Sequence, residues 1–543
     1  MSKIAQYLQE HLVGEVTDAV EVRRHFAHDA SILQLPPSIV VFPRGEEDIR
    51  KTARFSWQLA ERGRILPITA RGGGTDTSGA AIGNGILLVL PTHLNRILAL
   101  DPKKAFVSVE PGISYDKLQQ TLYTHGLFLP VYPSSGSSAT VGGGIGNNAV
   151  GEKSVKYGNT EKYVQNLRVV LANGEVIETS RLSKRELSHK MGLSTFEGQV
   201  YRQLDGLLEE SAHVLSAYQA KHLTKFGTAG YNLASVKNKD GFDLTPLFIG
   251  SQGTLGIISE ATLSIKPHNP VTTLVMLSLH GLNDLSDLLP EILKLKPSMV
   301  DMVNQAALAE VSKLNPQLLA NSVEMPSAEV HLFVEFDDQK DVARSKCVKD
   351  LARLVEKYNG VCRSADSMDE QQHIIKVRQS VSAILTHPHA HRQAVPIAED
   401  ICVPIEHVVD YMRAAAKLYI DNDLVPAMWG PIGSGVVRMQ PALDIANLGD
   451  RQKIFRLSEA LYSLAINMGG SMSAGSSDGR MRAPYLKGAL GEEMYLLTMA
   501  VKRIFDPYKM LNAGVKATNL EDIKQMMRAE YTLGHRHEHL PRS

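Results

Sequence analysis

Apolar residues in the first half of the chain fall in short blocks separated by polar, helix-period stretches. "SIVVFP" (38–43), "RILPITA" (64–70), "GILLVLP" (85–91) and "AFVSVEP" (105–111) are apolar runs of strand length, and runs of this kind bounded by turn residues predict buried strands. Between them, "EEDIRKTARFSWQLAERG" (46–63) and "YDKLQQTLYTHG" (115–126) read as helices, each ending in glycine, a helix stop. "NLRVVLANGEVIETS" (166–180) predicts a hairpin, because Asn173-Gly174 is a favoured two-residue type I′ turn. Ile4, Leu8 and Leu12 at helical spacing predict a short amphipathic helix at the start of the chain.

The texture changes near 268–272. "TTLVMLSL" (272–279), "SMVDMV" (298–303) and "EVHLFVEF" (329–336) predict strands, while "LNDLSDLLPEILKLK" (282–296) and "DVARSKCVKDLARLVEKYNG" (341–360) predict helices. This suggests an α+β layer with helices on one face of a sheet. "EEMYLLTMAVKRIFDP" (492–507) is a helix stopped by Pro507. The chain thus divides into an N-terminal helical segment (1–35), a first domain (36–268), a second domain (269–517) and a polar tail (518–543).

Composition narrows the function classes. Lys plus Arg and Asp plus Glu number 58 each in 543 residues, so there is no basic excess of the kind that binds nucleic acid. Three cysteines, Cys347, Cys362 and Cys402, sit at no metal-ligand spacing and point to a reducing compartment. The first residues lack the apolar core of a signal peptide, and no apolar run reaches the ~18–20 residues of a membrane span. A cytoplasmic protein is expected, with peripheral membrane contact left open.

Three glycine clusters carry the chemistry, at 72–74, 142–146 and 250–256, each after an apolar run. Glycines expose backbone N–H groups without side chains, and several such loops at one place predict a long, phosphate-bearing ligand. A P-loop is excluded, because GxxxxGK[ST] is absent. "GGGIGNNA" lacks the strand–turn–helix setting and distal acid of a dinucleotide fingerprint.

The stretches "PITARGGGTDTSGA", "VSVEPGISYDKL", "PSSGSSATVGGGIGNNAVGEKSVKYGNTEKYVQNLRVVLANGEVI", "LFIGSQGTLGIISEATLSIKP" and "RIFDPYKMLNAG" resemble FAD-linked oxidases of the PCMH (vanillyl-alcohol-oxidase) type. The similarity lies in their D-lactate dehydrogenase and glycolate oxidase branch, and it spans roughly 36–517. It implies an α+β fold: an FAD-binding domain of two α+β subdomains, a substrate cap domain with an antiparallel sheet, and a C-terminal helical segment that returns to the FAD domain. It implies FAD as cofactor and hydride transfer from a small carboxylate-bearing alcohol to the flavin. Electrons would leave to an acceptor outside the chain, whether a quinone, a cytochrome, an electron-transfer protein or oxygen. Arg71, Gly72, Gly73, Gly74, Thr75, Asp76 and Thr77 would hold the pyrophosphate, with Pro133, Ser134, Thr140, Gly142, Gly143, Gly144, Gly146, Asn147 and Asn148. Tyr157, Gly158, Gly253, Gly256, Ile257 and Ile258 would follow the ribityl and adenosine parts, and Asn512 would lie near the isoalloxazine. Thr75 stands where covalently flavinylated members often carry histidine, so non-covalent FAD is expected.

The cap departs from the family pattern. Pro431 and Arg438 stand at the positions of two metal-binding histidines, Gly475 at that of a metal-binding glutamate, and Ser476 at that of the histidine base. A metal-free pocket is therefore expected. Arg378 and Arg438 are the candidate carboxylate anchors, since Arg pairs a carboxylate bidentately. Asp478, Tyr485 and Glu399 are the candidate bases. The histidine triplets at 387, 389, 391 and at 535, 537, 539 read as solvated loop and tail residues. The leading expectation is oxidation of a small 2-hydroxy acid such as D-lactate. The alternatives are another alcohol, sugar or lactone, or an FAD-binding subunit that has lost catalysis.

Overall fold

The computed structural model describes residues 1–314, 316–319, 327–337, 340–365, 367–384 and 392–528. Both histidine triplets lie outside them.

Two sheets build the first half. The strands Glu15–Thr17, Ile39–Phe42, Ile86–Val89 and Ile68–Arg71 lie side by side in that order. The last three are mutually parallel. Parallel strands need a long crossover, and the helix Glu46–Glu61 lies in the one that joins Ile39–Phe42 to Ile68–Arg71, on the far side of Ile86–Val89. The runs IVVF and ILLV are buried at every position, as a sheet covered on both faces requires. The second sheet is antiparallel, in the order Ile97–Asp101, Phe106–Val109, Ile257–Ser264, Val164–Val170, Val176–Glu178.

The hairpin at 164–178 forms, but its turn differs from the expected one. Gly174 N–H donates to Leu171 O (2.9 Å) and Leu171 N–H to Glu175 O (2.8 Å). Only Gly174 is left-handed, at φ +86°. This is a type I turn closed by a glycine bulge rather than type I′, which needs positive φ at both central residues. Asn173 instead uses its side-chain oxygen to accept from Glu175 N–H (3.0 Å).

The second half is built on an eight-stranded sheet paired antiparallel throughout. Its core runs Val361–Ser364, Thr273–Leu279, Val330–Phe336, Met299–Asn304, Pro426–Gly430, Val436–Leu443. Helices cover both of its faces, which corrects the one-faced layer expected from sequence. Leu274, Met276, Met299 and Phe333 pack with Leu308, Ile374 and Val377 from the helices Gln305–Leu314 and Met368–Ile384. Val275, Leu277, Val300 and Val334 pack with Leu285, Leu288 and Leu351 from Leu282–Lys294 and Asp341–Glu356. The strands are apolar at successive positions because neither face meets water.

After the helix Glu492–Phe505, which ends two residues before Pro507, the chain returns to the first sheet. Leu511 bridges Ile68 in parallel, through Ile68 N–H to Met510 O and Asn512 N–H to Ile68 O, both 2.7 Å. Among the described residues no helix is long and apolar enough to cross a membrane.

Candidate cofactor and substrate cavity

The glycine clusters meet around one cavity of about 740 Å³. It is lined by Arg71 to Thr77, Pro133, Ser134, Thr140, Gly142 to Gly144, Gly146, Asn147, Gly253 and Gly256 to Ile258, and from the cap by Arg438. The volume is that of a cofactor-sized site.

The glycines do two separate jobs. At Gly72, Gly73, Gly142 and Gly144 a side chain would collide with Thr140, Ser138, Pro111 and Tyr115 at 1.9–2.6 Å, so these allow the loops to touch. At Gly143, Gly146 and Gly253 a Cβ would meet no protein atom closer than 3.2 Å, 3.7 Å and 4.0 Å. Packing leaves room there, and the space opens on the cavity. Among the described residues, no protein acceptor meets the N–H groups of Gly73, Gly74 and Thr75. Those of Val141 to Gly144 are already taken, by Ile113 O, Pro111 O, Thr140 Oγ1 and Thr140 O. Bare amides facing open space suit a diphosphate. FAD therefore fits this cavity, and the free amides belong to the 73–75 loop more than to the 141–144 turn.

Asp76 ties the loops together. Its carboxylate accepts from Ser78 N–H (3.0 Å), Ala80 N–H (2.7 Å) and Asn147 Nδ2 (3.2 Å). Burial, with the Asp29 carboxylate next, raises its pKa from the usual carboxylate range to about 6. The Arg71 guanidinium donates to His28 O (2.7 Å) and Ala81 O (3.1 Å), so it braces the loop.

Four expected cofactor residues do not line the cavity. Tyr157 donates its hydroxyl to Asp337 (2.8 Å) and packs edge-on against Phe128. Gly158, at φ +84°, turns the chain beside Lys162. Asn148 caps a helix in the left-handed region and accepts from Glu161 N–H (3.0 Å). Asn512 is fully buried behind the wall, where its Nδ2 donates to Ala80 O (2.9 Å) and Gln252 O (2.7 Å).

Gln252, missed from sequence, is the hub of that wall. Its Nε2 reaches Asn147 Oδ1 (2.9 Å), Ser476 O (3.0 Å) and Ser78 Oγ (3.2 Å), and its Oε1 accepts from Gly479 N–H (2.7 Å). It lines the cavity with φ +55°, a conformation uncommon outside glycine.

The cap end of the cavity is polar. Trp429 pairs across the hairpin with Arg438, and Gln440 lies two residues further along the strand. Alternation puts Arg438 and Gln440 on one face, and cross-strand pairing adds Trp429; all three line the cavity. Arg438 donates to Ser134 Oγ (3.2 Å) and lies 3.7 Å from Asp400. Glu399 and Asp400 precede the strand Ile401–Cys402, which pairs with Val436 and Val437, and both line the same space. Asp400 Oδ2 accepts from Ser476 N–H (2.6 Å), Ser476 Oγ (2.7 Å) and Ala474 N–H (3.2 Å). Three buried polar atoms here, Asp400 Oδ1, Trp429 Nε1 and Gln440 Oε1, have no hydrogen-bond partner among the described residues. Orphaned atoms in a cavity wall are what a ligand's polar groups satisfy.

Arg378 corrects the sequence reading. It is 2% exposed and absent from the cavity lining, and its guanidinium is held by Glu152 (3.1 Å) and Asp301. Two buried carboxylates already neutralise it. The next two residues on its helix, Gln379 and Ser380, line the cavity instead. Of the base candidates, Asp478 is locked to Lys516 (2.7 Å) and Ser473 (2.6 Å), and Tyr485 points to Phe455 O (3.4 Å). Only Glu399 reaches the cavity. Among the described residues no three His, Cys, Asp or Glu side chains gather as metal ligands.

Residues 37–180 match the FAD binding domain family, and residues 268–515 match FAD linked oxidases, C-terminal domain. The chain is 31% identical over 527 residues to D-2-hydroxyglutarate dehydrogenase of Escherichia coli, covering 93% of this chain and 50% of that protein. It therefore spans about half the length of the first curated relatives it matches. It is 26% identical to glycolate oxidase subunit GlcD of Bacillus subtilis, over 90% of this chain and 91% of that one. The fold is shared with 4-ethylphenol oxidase from Gulosibacter chungangensis, at TM-score 0.70 and 14% identity, over 95% and 97% of the two chains. The free amides of the 73–75 loop and the antiparallel cap sheet thus sit in a known frame, a PCMH-type FAD domain joined to its cap, and the chain carries both the FAD binding domain and the C-terminal domain of FAD linked oxidases.

Proposed function

We propose that this chain is an FAD-dependent dehydrogenase of a small 2-hydroxy acid, with the substrate carboxylate held by Arg438 and no metal in the pocket. The observation that carries this reading is Arg438 itself. It lies on the cavity face of its strand, and among the described residues its guanidinium meets one hydroxyl and, at 3.7 Å, one carboxylate. A guanidinium has five donors, so most of them are available to a ligand. Gly475 supports the metal-free part, because a Cβ there would meet Val150 N at 2.6 Å; the position is closed to a glutamate. FAD supplies the two-electron acceptor, and the chain's own residues orient the acid, keep water out and receive its proton. The names of the relatives suggest D-2-hydroxyglutarate, D-lactate or glycolate as substrates to try first. A second reading, a neutral polyol, is favoured by the two carboxylates, Glu399 and Asp400, that share the cap end of the cavity with Arg438.

The test is anaerobic bleaching of the flavin by a panel of 2-hydroxy acids and sugars, before and after chelator treatment. Arg438→Met should raise the KM of the responding acid, since a charge-assisted contact is worth about 1.5–3 kcal/mol. Activity that disappears with chelator and returns with zinc or manganese refutes the metal-free pocket. Reduction by sugars alone favours the second reading.

A further inference from the structure

We infer that Glu399 is the proton acceptor of the reaction and that Gln440 is its positioning residue; the inference rests on the 2-hydroxy acid reading above.

Three facts converge on this carboxylate. Glu399 is 5% exposed and lines the cavity, whereas Asp478 and Tyr485 are engaged elsewhere. Its Oε2 accepts from Gln440 Nε2, and its Oε1 has no donor among the described residues. Its backbone is fixed as well, because Arg482 donates to Glu399 O (2.8 Å). One oxygen held and one left open is the arrangement a general base needs: orientation is set by a neighbour, and a lone pair remains for the substrate.

Register places this base beside the carboxylate anchor. Gln440 follows Arg438 on the same strand face, about 6–7 Å along it. A 2-hydroxy acid with its carboxylate on Arg438 therefore has its hydroxyl within reach of the carboxylate that Gln440 holds. Asp400, the neighbouring acid, is less suited. It accepts three hydrogen bonds through one oxygen, and its other oxygen faces Arg438 at 3.7 Å. Ser476, at the position of the family's base, is itself a donor to Asp400 (2.7 Å).

In the reaction the hydroxyl O–H bond breaks and its proton passes to Glu399 Oε1. The C2–H bond breaks, its hydrogen leaves as hydride with both electrons to oxidised FAD, and the C–O bond becomes a carbonyl. The acid is oxidised to a 2-oxo acid, and FAD is reduced by two electrons.

The experiment uses the FAD-loaded full chain and the 2-hydroxy acid that best reduces the wild type. The rate of flavin reduction is followed by stopped flow, and acid binding by quenching of tryptophan fluorescence. Glu399→Gln is isosteric and keeps a partner for Gln440. It should slow reduction by ~10²–10⁴-fold, the usual contribution of a general base, while binding changes by less than about threefold. Gln440→Leu should lower kcat with KM little changed. Glu399→Ala should regain part of the rate with added formate, an outcome that a purely structural role does not produce. A Glu399→Gln rate within about tenfold of wild type overturns the inference, as does a loss of binding that accounts for the whole loss of rate. A wild-type flavin that no 2-hydroxy acid reduces overturns the proposed function and this inference together. Wild-type reduction with an unimpaired Glu399→Gln overturns this inference alone.

Discussion

Arg378→Met separates a structural cation from a substrate-binding one. The arginine stands between Glu152, 5% exposed, and Asp301, 0% exposed, so its removal leaves two uncompensated buried carboxylates. Deleting one partner of a buried pair typically costs about 3–5 kcal/mol. At roughly 2–4 °C per kcal/mol for a domain of ~200 residues, the Tm should fall by ~6–20 °C. Adding Asp301→Asn removes one of the stranded charges and should recover part of the loss, with a coupling of about 0.5–3 kcal/mol between the two sites. The assay is thermal unfolding of the FAD-loaded protein followed by circular dichroism, with KM measured on the same preparations. A substrate anchor predicts the opposite result: Tm within about 2 °C of wild type and a raised KM. That outcome would show that Arg378 leaves its two partners to reach the ligand, and it would refute the structural assignment.

Gly143→Asp should fold and lose FAD, because its Cβ meets only Thr140 Oγ1 at 3.2 Å while its carboxylate faces the cofactor's phosphates; Gly144→Ala, driven to 1.9 Å from the Tyr115 hydroxyl, should lose stability instead, and full flavin content in Gly143→Asp would count against the cradle. Acid precipitation should release the flavin into the supernatant, since Thr75 offers no histidine for attachment; colour remaining on the washed pellet contradicts this. Asp76 has its pKa raised from 3.8 to about 6 by burial and the charge of Asp29, so the folded state binds this proton more tightly than the unfolded one. Its contribution to stability is present below about pH 4 and is lost as pH rises through about 6. Denaturant unfolding of wild type and Asp76→Asn across pH 4 to 7 should therefore give a difference that shifts against the wild type as pH rises, and a constant difference refutes the assignment.

The glycine clusters were legible because their composition is extreme, although only 72–74 follows a strand, Ile68–Arg71, while 142–146 lies within the helix Val141–Asn147 and 250–256 follows the helix Thr245–Phe248. What the sequence did not carry was the side of the wall on which a residue sits. Asn512 and Tyr157 belong to the right segments but face away from the cavity, since their partners, Ala80, Gln252 and Asp337, come from other parts of the chain. Arg378 lies off the cavity lining for the same reason: Glu152 is 226 residues away in sequence, and no local pattern announces such a partner. The both-faced cap sheet was readable in principle, because "TTLVMLSL" lacks the polar alternation of a half-exposed strand. Likewise, once 436–443 is taken as a strand, the spacing of Arg438 and Gln440 assigns both to one face. Gln252 sits inside the glycine cluster at 250–256, and its hydrogen-bond partners, Ser78, Asn147, Ser476 and Gly479, all lie far from it in sequence.

The pairing of Leu511 with Ile68 sets an order on biosynthesis. The strand Ile68–Arg71, which leads into the 73–75 loop, leaves the ribosome some 440 residues before its last neighbour does. Until Met510 to Asn512 arrive, that strand is an open edge, and Asn512 cannot yet anchor Ala80 and Gln252. The cofactor pocket is therefore completed late in translation, after the whole cap has been made. Chains interrupted within the cap carry an unpaired strand beside an unfinished cavity, the kind of species that aggregates or recruits chaperones. FAD supplied during expression should raise the yield of folded protein mainly by trapping chains that have already made this last contact.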